Sequence, residues 1–544
     1  MVKDKILQDL KKVVEDLDYP TTDIVLSISK NPQFGDYTTN VPLQLAKLDG
    51  VYGKQSPKEI ANQIVGHLSS LSYLEKVEVA GSGFINFFIK IEKLTQDLDE
   101  ILKKGDDFGK SDFGKGKKAR VEYVSANPTG PLHIGNARGG PIGDVIASVL
   151  EICGYEILRE YIHNDVGEQV KALGATIKAK LHGNLATNNQ YQGEYISELA
   201  KELENIEDKS DEDVGKMAVN SLYEEIMVDI HQMGIKFDLV VRESELRKEA
   251  QTILEELKKG GVIKEKDGAL WLAPNDEFLK DRETVVQKSD GGYTYFTADI
   301  VYHKLKFESG AAIIIDVFGS NHHGHVPRLQ AAVSALGFDP KKMKFVLYQY
   351  VRVKRGTDIV KMSKRAGNFI TAREVLEEVG VDAFRFYLLR FAPQTHMDFD
   401  LELVKQQSSS NPVYYVQYAH ARMSNIIKKY QISNIKYNNL PSAEQISNKT
   451  DYSLLKHPSE LNLIKHLLYF PDLVLEIGKN LQVHHLTDYA ITLADLFHKF
   501  YETCPVLQAE TRGLVNARLA LVKGCKITLA NALGLLGVSS PERM

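Results

Sequence analysis

The sequence predicts an α/β chain of several domains: a doubly wound parallel-sheet core carrying an insertion, a small α/β module before it, and an all-helical domain after it. Three observations lead there. With 544 residues, the chain has room for about three or four domains of ordinary size. Its composition, 43% hydrophobic and 26% charged, is that of packed soluble domains and excludes wholesale disorder or a fibrous repeat. Finally, short apolar runs alternate with helical periodicity from Arg120 onward, and from Asp382 helical spacing continues to the end.

The elements follow in order. MVKDKILQDLKKVVEDL reads as a charged amphipathic helix, Asp23 to Ser29 as a strand, and NPQFGDYTTN as a polar turn. VPLQLAKL and KEIANQIVGHLSSL are helical, and VEVAGSGFINFFI alternates like strand, which completes a module over residues 1–110. Gly105 and KSDFGKGKK mark a linker. The core, residues 115–381, opens with the strand VEYVSA, the turn NPTGPLHIGNARGG, and the helix PIGDVIASVLEICG closed by Gly154. Strand, glycine turn and helix form half of a doubly wound βαβ unit. A long, mostly polar helical stretch from about 168 to 260 begins an insertion reaching about 290. KSDGGYTYF closes it as a hairpin, and AAIIIDVFGS and MKFVLYQYV return as buried strands. Residues 382–544 are helical apart from a polar loop at about 437–451.

Composition narrows the function. Cys153, Cys504 and Cys525 are odd in number and widely spaced, against a disulfide framework or a cysteine zinc site, so a reducing cytosol fits best. The N-terminus lacks the apolar core of a secretion signal, and no later run reads as a membrane span. Net charge is -5, so a nucleic-acid partner must be held by local basic patches.

Two segments carry chemistry. In PLHIGNARG, His133 and Asn136 can donate to a phosphate oxygen, and Gly135 lets a planar ring approach the backbone at a strand-to-helix turn. Read alone, such a match is more often a tight turn with an incidental histidine, and context must decide. In VRVKRGTDIVKMSKRAGNF, the cations Arg352, Lys354, Arg355, Lys361, Lys364 and Arg365 face one acid, Asp358, and the interspersed small residues suit a mobile loop. Such a cluster needs an anionic counterpart, and Lys361 and Lys364 could close over a triphosphate. A solvated surface loop is the alternative.

HIG followed by KMSK, separated by strands and helices, resembles the paired nucleotide signatures of class I aminoacyl-tRNA synthetases. VEYVSANPTGPLHIGNARGG, NDVGEQ, YFTADIVYH, NPVYYVQYAHAR and LGLLGVSSPERM resemble the bacterial arginyl-tRNA synthetase family within that class, from FGDYTTN to Met544. Three positions depart from the family pattern: Asn136 for histidine, Arg365 after KMSK, and Phe384 for leucine in DAFR. The resemblance implies a Rossmann-like catalytic domain at 115–381, a tRNA-elbow module at 1–110, and an anticodon-binding domain at 382–544. It implies a cytoplasmic enzyme, expected as a monomer, whose substrates are L-arginine, ATP with Mg2+ on its phosphates, and cognate tRNA. It also implies a first step that depends on bound tRNA.

Site roles follow by resemblance. ATP falls to His133, Gly135, Asn136, Gly319, His325, Lys361, Met362, Ser363 and Lys364, of which His133, Asn136, Lys361 and Lys364 cradle the departing pyrophosphate. Arginine falls to Glu122, Asn127, Tyr295, Asp299 and His322. A guanidinium offers donors only, so its pocket must present acceptors. Glu122 lies in an otherwise apolar strand, where it needs a cation, and substrate could supply it. Without the resemblance, an internal salt bridge for Glu122 or Asp299 stays equally open. Tyr295 and Asp299 share a face if a helix has begun by Tyr295. His322, His323 and His325 lack zinc-ligand spacing, so no structural metal is expected. For tRNA, Tyr414, Tyr418 and Arg422 recur every four residues, either as a stacking face or as core. Phe34, Asn40 and Met544 complete the tRNA candidates.

Overall fold

The structure, a computed structural model, describes residues 1–20, 24–29, 32–47, 55–183, 191–203, 205–273, 283–356, 358–359, 370–436 and 450–544. At its centre lies a five-stranded, wholly parallel sheet. Its spatial order is Met343–Tyr348, Ile313–Gly319, Lys118–Tyr123, Glu156–His163 and Leu239–Arg242. The first strand in sequence sits in the middle, and the chain winds outward from it in both directions. That reversal leaves a crevice between Lys118–Tyr123 and Ile313–Gly319, the place where open α/β sheets bind ligands. Ala119, Val121, Tyr123, Ile314, Ile315 and Val317 are buried, as strands covered on both faces must be. Gly143 allows the covering helix, Gly139–Ile152, to lie directly on Tyr123, whose ring a Cβ there would strike.

The insertion departs from the expected single helical stretch. Helices Glu168–Leu181, Glu194–Glu202 and Asp211–Gln232 enclose a small core of Val170, Leu173, Ile177, Leu199, Ala218 and Leu222. The chain then returns Leu239–Arg242 to the main sheet, a run of four residues too short to stand out in sequence. A three-stranded antiparallel sheet, Ile263–Lys266, Ala269–Leu272 and Thr284–Gln287, follows. KSDGGYTYF makes a turn closed by one bridge, Gln287 to Tyr293, because helix Tyr295–Glu308 begins two residues later.

The N-terminal module is a four-stranded antiparallel sheet, Ser27–Ile28, Tyr37–Thr39, Phe84–Ile89 and Leu74–Ala80 in spatial order. NPQFGDYTTN, expected as a turn, contains one of its strands. Helix Pro57–Leu68 starts with a capping box from Ser56 and Glu59, legible in SPKE. The linker is no loose spacer. Phe108 is fully buried against Phe470, and Asn531 Nδ2 donates to the carbonyls of Gly105 and Phe108 at 3.0 Å each.

Helices Pro412–Lys436, Pro458–Asn480, His484–Thr503 and Arg512–Leu536 build the C-terminal domain. The region just past Asp382 is not purely helical, because strand Met397–Asp400 pairs in parallel with Val351–Arg355. Helix Arg512–Leu536 is long and apolar enough to cross a membrane, with mean hydropathy 1.5, against the expectation from sequence. Its apolar residues are spent in the bundle, where 61% of that window is buried. Arg385, 1% exposed, joins three regions. It donates to the Leu536 and Met233 carbonyls at 2.9 Å each and to Asp144 Oδ2 at 2.5 Å.

Candidate active site

A cavity of about 530 Å³ opens at the crevice, on the carboxyl ends of the parallel strands. The chain leaves strand Lys118–Tyr123 through Val124 and Ser125, both in the left-handed region at φ 66° and 35°. A β-branched residue there stores strain on the order of 1–3 kcal/mol. The bend is held by Ser125 Oγ, which accepts from Ile162 N at 3.1 Å, and by Tyr161 Oη, which donates to the Ala126 carbonyl at 3.0 Å. It turns Asn127 and the HIGN segment over the sheet edge.

The cavity gathers Glu122, Asn127, Asn136, Tyr295, Asp299, Gly319, His322 and His325, from segments far apart in sequence. Tyr295 begins the helix Tyr295–Glu308, so Asp299 lies one turn along it. His325 Nε2 donates to Asp299 Oδ2 at 2.9 Å. Burial opposes charge on His325, but Asp299 outweighs it and raises its pKa. Burial lowers the pKa of His322, and neighbouring His325 lowers it further. His325, expected beside ATP, is thus tied to an acid of the expected arginine pocket. Asn127 is exposed, and its Oδ1 accepts from Asn164 Nδ2 at 2.6 Å. For Glu122 the internal salt bridge left open in sequence is present: Lys306 Nζ donates to Oε2 at 2.7 Å. A helix lysine packed under the strands answers the buried acid, so the need for a cation alone does not demand a ligand.

His133 caps the short helix Ile134–Ala137, its Nδ1 accepting from Asn136 N at 3.2 Å. That role places the ring proton on Nε2. Leu132 to Ile134 run against Ile370 to Ala372, with Ala372 N donating to the Leu132 carbonyl at 2.7 Å. The residues that follow the second signature therefore lie against the first. Lys361, Met362, Ser363 and Lys364 lie outside the described residues. The cation cluster before them is partly answered from within. Arg352 and Lys354 pair with Asp398, and Arg355 with Glu378, because the strand Met397–Asp400 and the helix Ala372–Val379 bring those acids alongside. Val351–Arg355 is strand, not mobile loop.

The tRNA candidates occupy two surfaces. Phe34 is 51% exposed on the N-terminal module, and Asn40, also exposed, sits at the start of helix Val41–Leu45. On the C-terminal domain, Tyr414 and Tyr418 stack at 6.3 Å, and Arg422 lies over Tyr418 at 5.9 Å and over Tyr501 at 4.5 Å. Tyr418 is 41% exposed and Tyr414 and Arg422 are half-buried, so the stripe lies at the surface of the bundle; Met544 is 53% exposed.

Some buried groups and cavity-lining residues gave no sequence signal. Glu243 is 1% exposed, with Arg247 Nε donating to Oε1 at 2.9 Å. Burial raises its pKa to about 7, yet RESELRKEA reads as a solvated charged helix. Gln169 and Tyr348 line the cavity, and Tyr348 Oη donates to the Asn136 carbonyl at 3.3 Å. The expected absence of a zinc site at GSNHHGH meets a different geometry. Among the described residues, the one convergent group of possible metal ligands is His484, His485 and Asp488 on the C-terminal domain, where Asp488 pairs with Arg390.

The sequence model described as "tRNA synthetases class I (R), catalytic domain" matches residues 97–430, "Arginyl tRNA synthetase N terminal domain" residues 1–89, and "DALR anticodon binding domain" residues 416–544. The chain is similar to the arginine–tRNA ligase of Listeria monocytogenes, 38% identical over 99% of this chain and 98% of that protein. It is also similar to that of Caldanaerobacter subterraneus, 40% identical over 100% of this chain and 98% of that protein. Among solved structures, the Thermus thermophilus arginyl-tRNA synthetase shares the fold, with a TM-score of 0.79 at 23% identity over 100% of each chain. On these matches the chain belongs to the class I arginyl-tRNA synthetase family.

Proposed function

We infer that this chain ligates L-arginine to its cognate tRNA, consuming ATP through an arginyl adenylate and releasing AMP and pyrophosphate. The observation that carries the reading is the cavity itself. Acids suited to a planar cation open into one space at the switch point with Asn136 of the phosphate turn, while His133 and Gly135 of the same turn lie beside that space and not in its wall. Asp299 and Glu122 hold the guanidinium, with Tyr295 and His322 beside it, while Asn127 takes the amino acid's backbone groups. ATP lies along Gly135, Gly319 and His325, with its phosphates at His133 and Asn136. Lys361, Met362, Ser363 and Lys364 complete the cradle.

The carboxylate of bound arginine attacks the α-phosphate in line, and pyrophosphate departs. No covalent enzyme intermediate is needed, so rate enhancement comes from positioning and from fixed donors around the departing charge. His133 suits this task, because its cap keeps the proton on Nε2. Magnesium enters with ATP as the counter-ion of its phosphates. The adenylate then passes its acyl group to the terminal ribose of tRNA. Phe34 and Asn40 meet the outer corner of that tRNA, and Tyr414, Tyr418, Arg422 and Met544 its anticodon arm, where exposed rings stack unpaired bases. The reading is completed by action in the cytoplasm as a monomer.

Arginine-dependent ATP–pyrophosphate exchange, run with and without tRNA, tests the proposal. Exchange with arginine and with no other amino acid is expected, and exchange strengthened by tRNA would establish its part in activation. Exchange supported equally by lysine or citrulline would defeat the reading.

A further inference from the structure

Two carboxylates stand side by side beneath the cavity. Glu122 and Asp316 are register partners on the parallel strands that flank the crevice, and they are 2% and 0% exposed. Like charges this close and this dry repel strongly, so the pair needs a cation between them. Lys306, itself 0% exposed, provides it from helix Tyr295–Glu308. Its Nζ donates to Glu122 Oε2 and to Asp316 Oδ1, each at 2.7 Å. The ammonium also lies 4.4 Å from the centre of the Tyr302 ring.

The surroundings fix which groups share this charge. His303 bonds to Asp316 Oδ2 at 3.0 Å through Nε2 and to the Asp299 carbonyl at 2.8 Å through Nδ1. Both ring nitrogens are thus occupied, one by Asp316 and one by its own helix, and His303 makes no hydrogen bond to Glu122. Farther from the cavity, Arg120 Nε donates to Glu160 Oε1 at 2.6 Å, so that acid has its own cation and does not draw on Lys306. Glu122 alone combines a bond to the ammonium with a place in the cavity wall. Its Oε1 accepts no hydrogen bond among the described residues.

We propose that Lys306 is a positioning residue for the arginine site, holding Oε2 of Glu122 so that an ionised carboxylate presents Oε1 to the incoming guanidinium. The proposal rests on the assignment of Glu122 to arginine. Its physical basis is that burial pushes the Glu122 carboxyl up and neighbouring Asp316 adds to the rise; Lys306 is the main opposing influence, and the carboxyl still stays above its usual range, so ionising it depends on that cation. Burial likewise disfavours charge on Lys306 and Asp316, but their mutual attraction prevails, leaving the lysine well above and the aspartate below their usual ranges. Without Lys306, Glu122 takes up a proton. A carboxylic acid then offers a hydroxyl donor to a guanidinium that has only donors of its own.

The test compares the full-length protein with Lys306→Met, Lys306→Arg and Glu122→Gln, measuring KM for arginine and for ATP in exchange assays with cognate tRNA present, from pH 6 to 8. Lys306→Met is expected to raise the arginine KM about tenfold to a hundredfold at pH 7, the loss of one charge-assisted contact. The ATP KM should stay within about twofold. The ratio of variant to wild-type arginine KM should fall as pH rises, by up to about tenfold per unit, because Glu122 must lose one proton before arginine binds. Lys306→Arg, whose guanidinium can also bridge two carboxylates, should restore the arginine KM to within about threefold. If Lys306→Met does not fold, Lys306→Met with Asp316→Asn removes one buried charge of each sign and carries the same pH readout. A raised arginine KM that does not vary with pH, an equal rise for ATP, or a lowered melting temperature with arginine KM unchanged would overturn the proposal. An unchanged arginine KM in Glu122→Gln would instead remove Glu122 from the pocket.

Discussion

Replacing Asp299 by asparagine removes one negative charge from the cavity while keeping the side chain's shape. The residue lies one turn into helix Tyr295–Glu308, and its Oδ2 accepts from His325 Nε2 at 2.9 Å, a bond the asparagine oxygen can still make. Hydrogen bonds to charged groups contribute about 1.5–3 kcal/mol net. The Asp299 side chain is 29% exposed, so solvent screening favours the lower half of that range. At about 1.4 kcal/mol per factor of ten, the arginine KM should rise about tenfold to fiftyfold. The amide nitrogen adds a donor where arginine also brings donors, which works in the same direction. Exchange assays read the effect directly, with the ATP KM expected within about twofold.

Two further signatures separate charge from packing. Wild-type protein should prefer arginine over uncharged citrulline by more than the variant does, since only the charged ligand gains from the carboxylate. Asp299 also holds His325 charged above its usual range against the cost of burial. As pH rises through that raised pKa, the imidazolium neutralises and the whole carboxylate charge turns to the ligand. Arginine affinity should therefore improve across that step in wild type and not in Asp299→Asn. An arginine KM within twofold of wild type would refute the assignment.

Two stability predictions accompany it. Arg385→Met leaves the Leu536 and Met233 carbonyls and the Asp144 carboxylate without their donor. Breaking such a buried pair costs about 3–5 kcal/mol; a denaturant midpoint equivalent to less than about 1 kcal/mol of loss would show that the junction is not held there. His466 stacks on Tyr489 at 4.3 Å and donates from Nε2 to the Tyr489 carbonyl at 3.2 Å, and burial lowers its pKa to about 4. The unfolded chain binds the proton first as pH falls, so stability present above about pH 6.5 should decline by about 3 kcal/mol on approaching pH 4. His466→Gln should flatten that part of the pH–stability curve, and parallel curves for the two proteins would refute it.

What the sequence discloses of this molecule is what neighbouring residues decide together. The strand VEYV, the glycine turn after it and the helix that follows are local periodicities, and they place the crevice correctly before any coordinate is known. Glu122 stands out for the same reason, as an acid within an apolar run. What answers that acid is not local. Lys306 is 184 residues away, inside a helix where a lysine reads as surface, and Asp316 meets Glu122 only through strand register. The basic segment before the second signature misleads in the opposite sense. Arg352 and Lys354 look unanswered in the chain because Asp398 reaches them only when a parallel strand forms beside them. A charged residue announces a requirement in sequence, and the fold decides whether protein or ligand meets it. For Glu122 the protein meets half, one oxygen bound to Lys306 and the other left toward the cavity, and a planar cation with a row of donors suits what is left over.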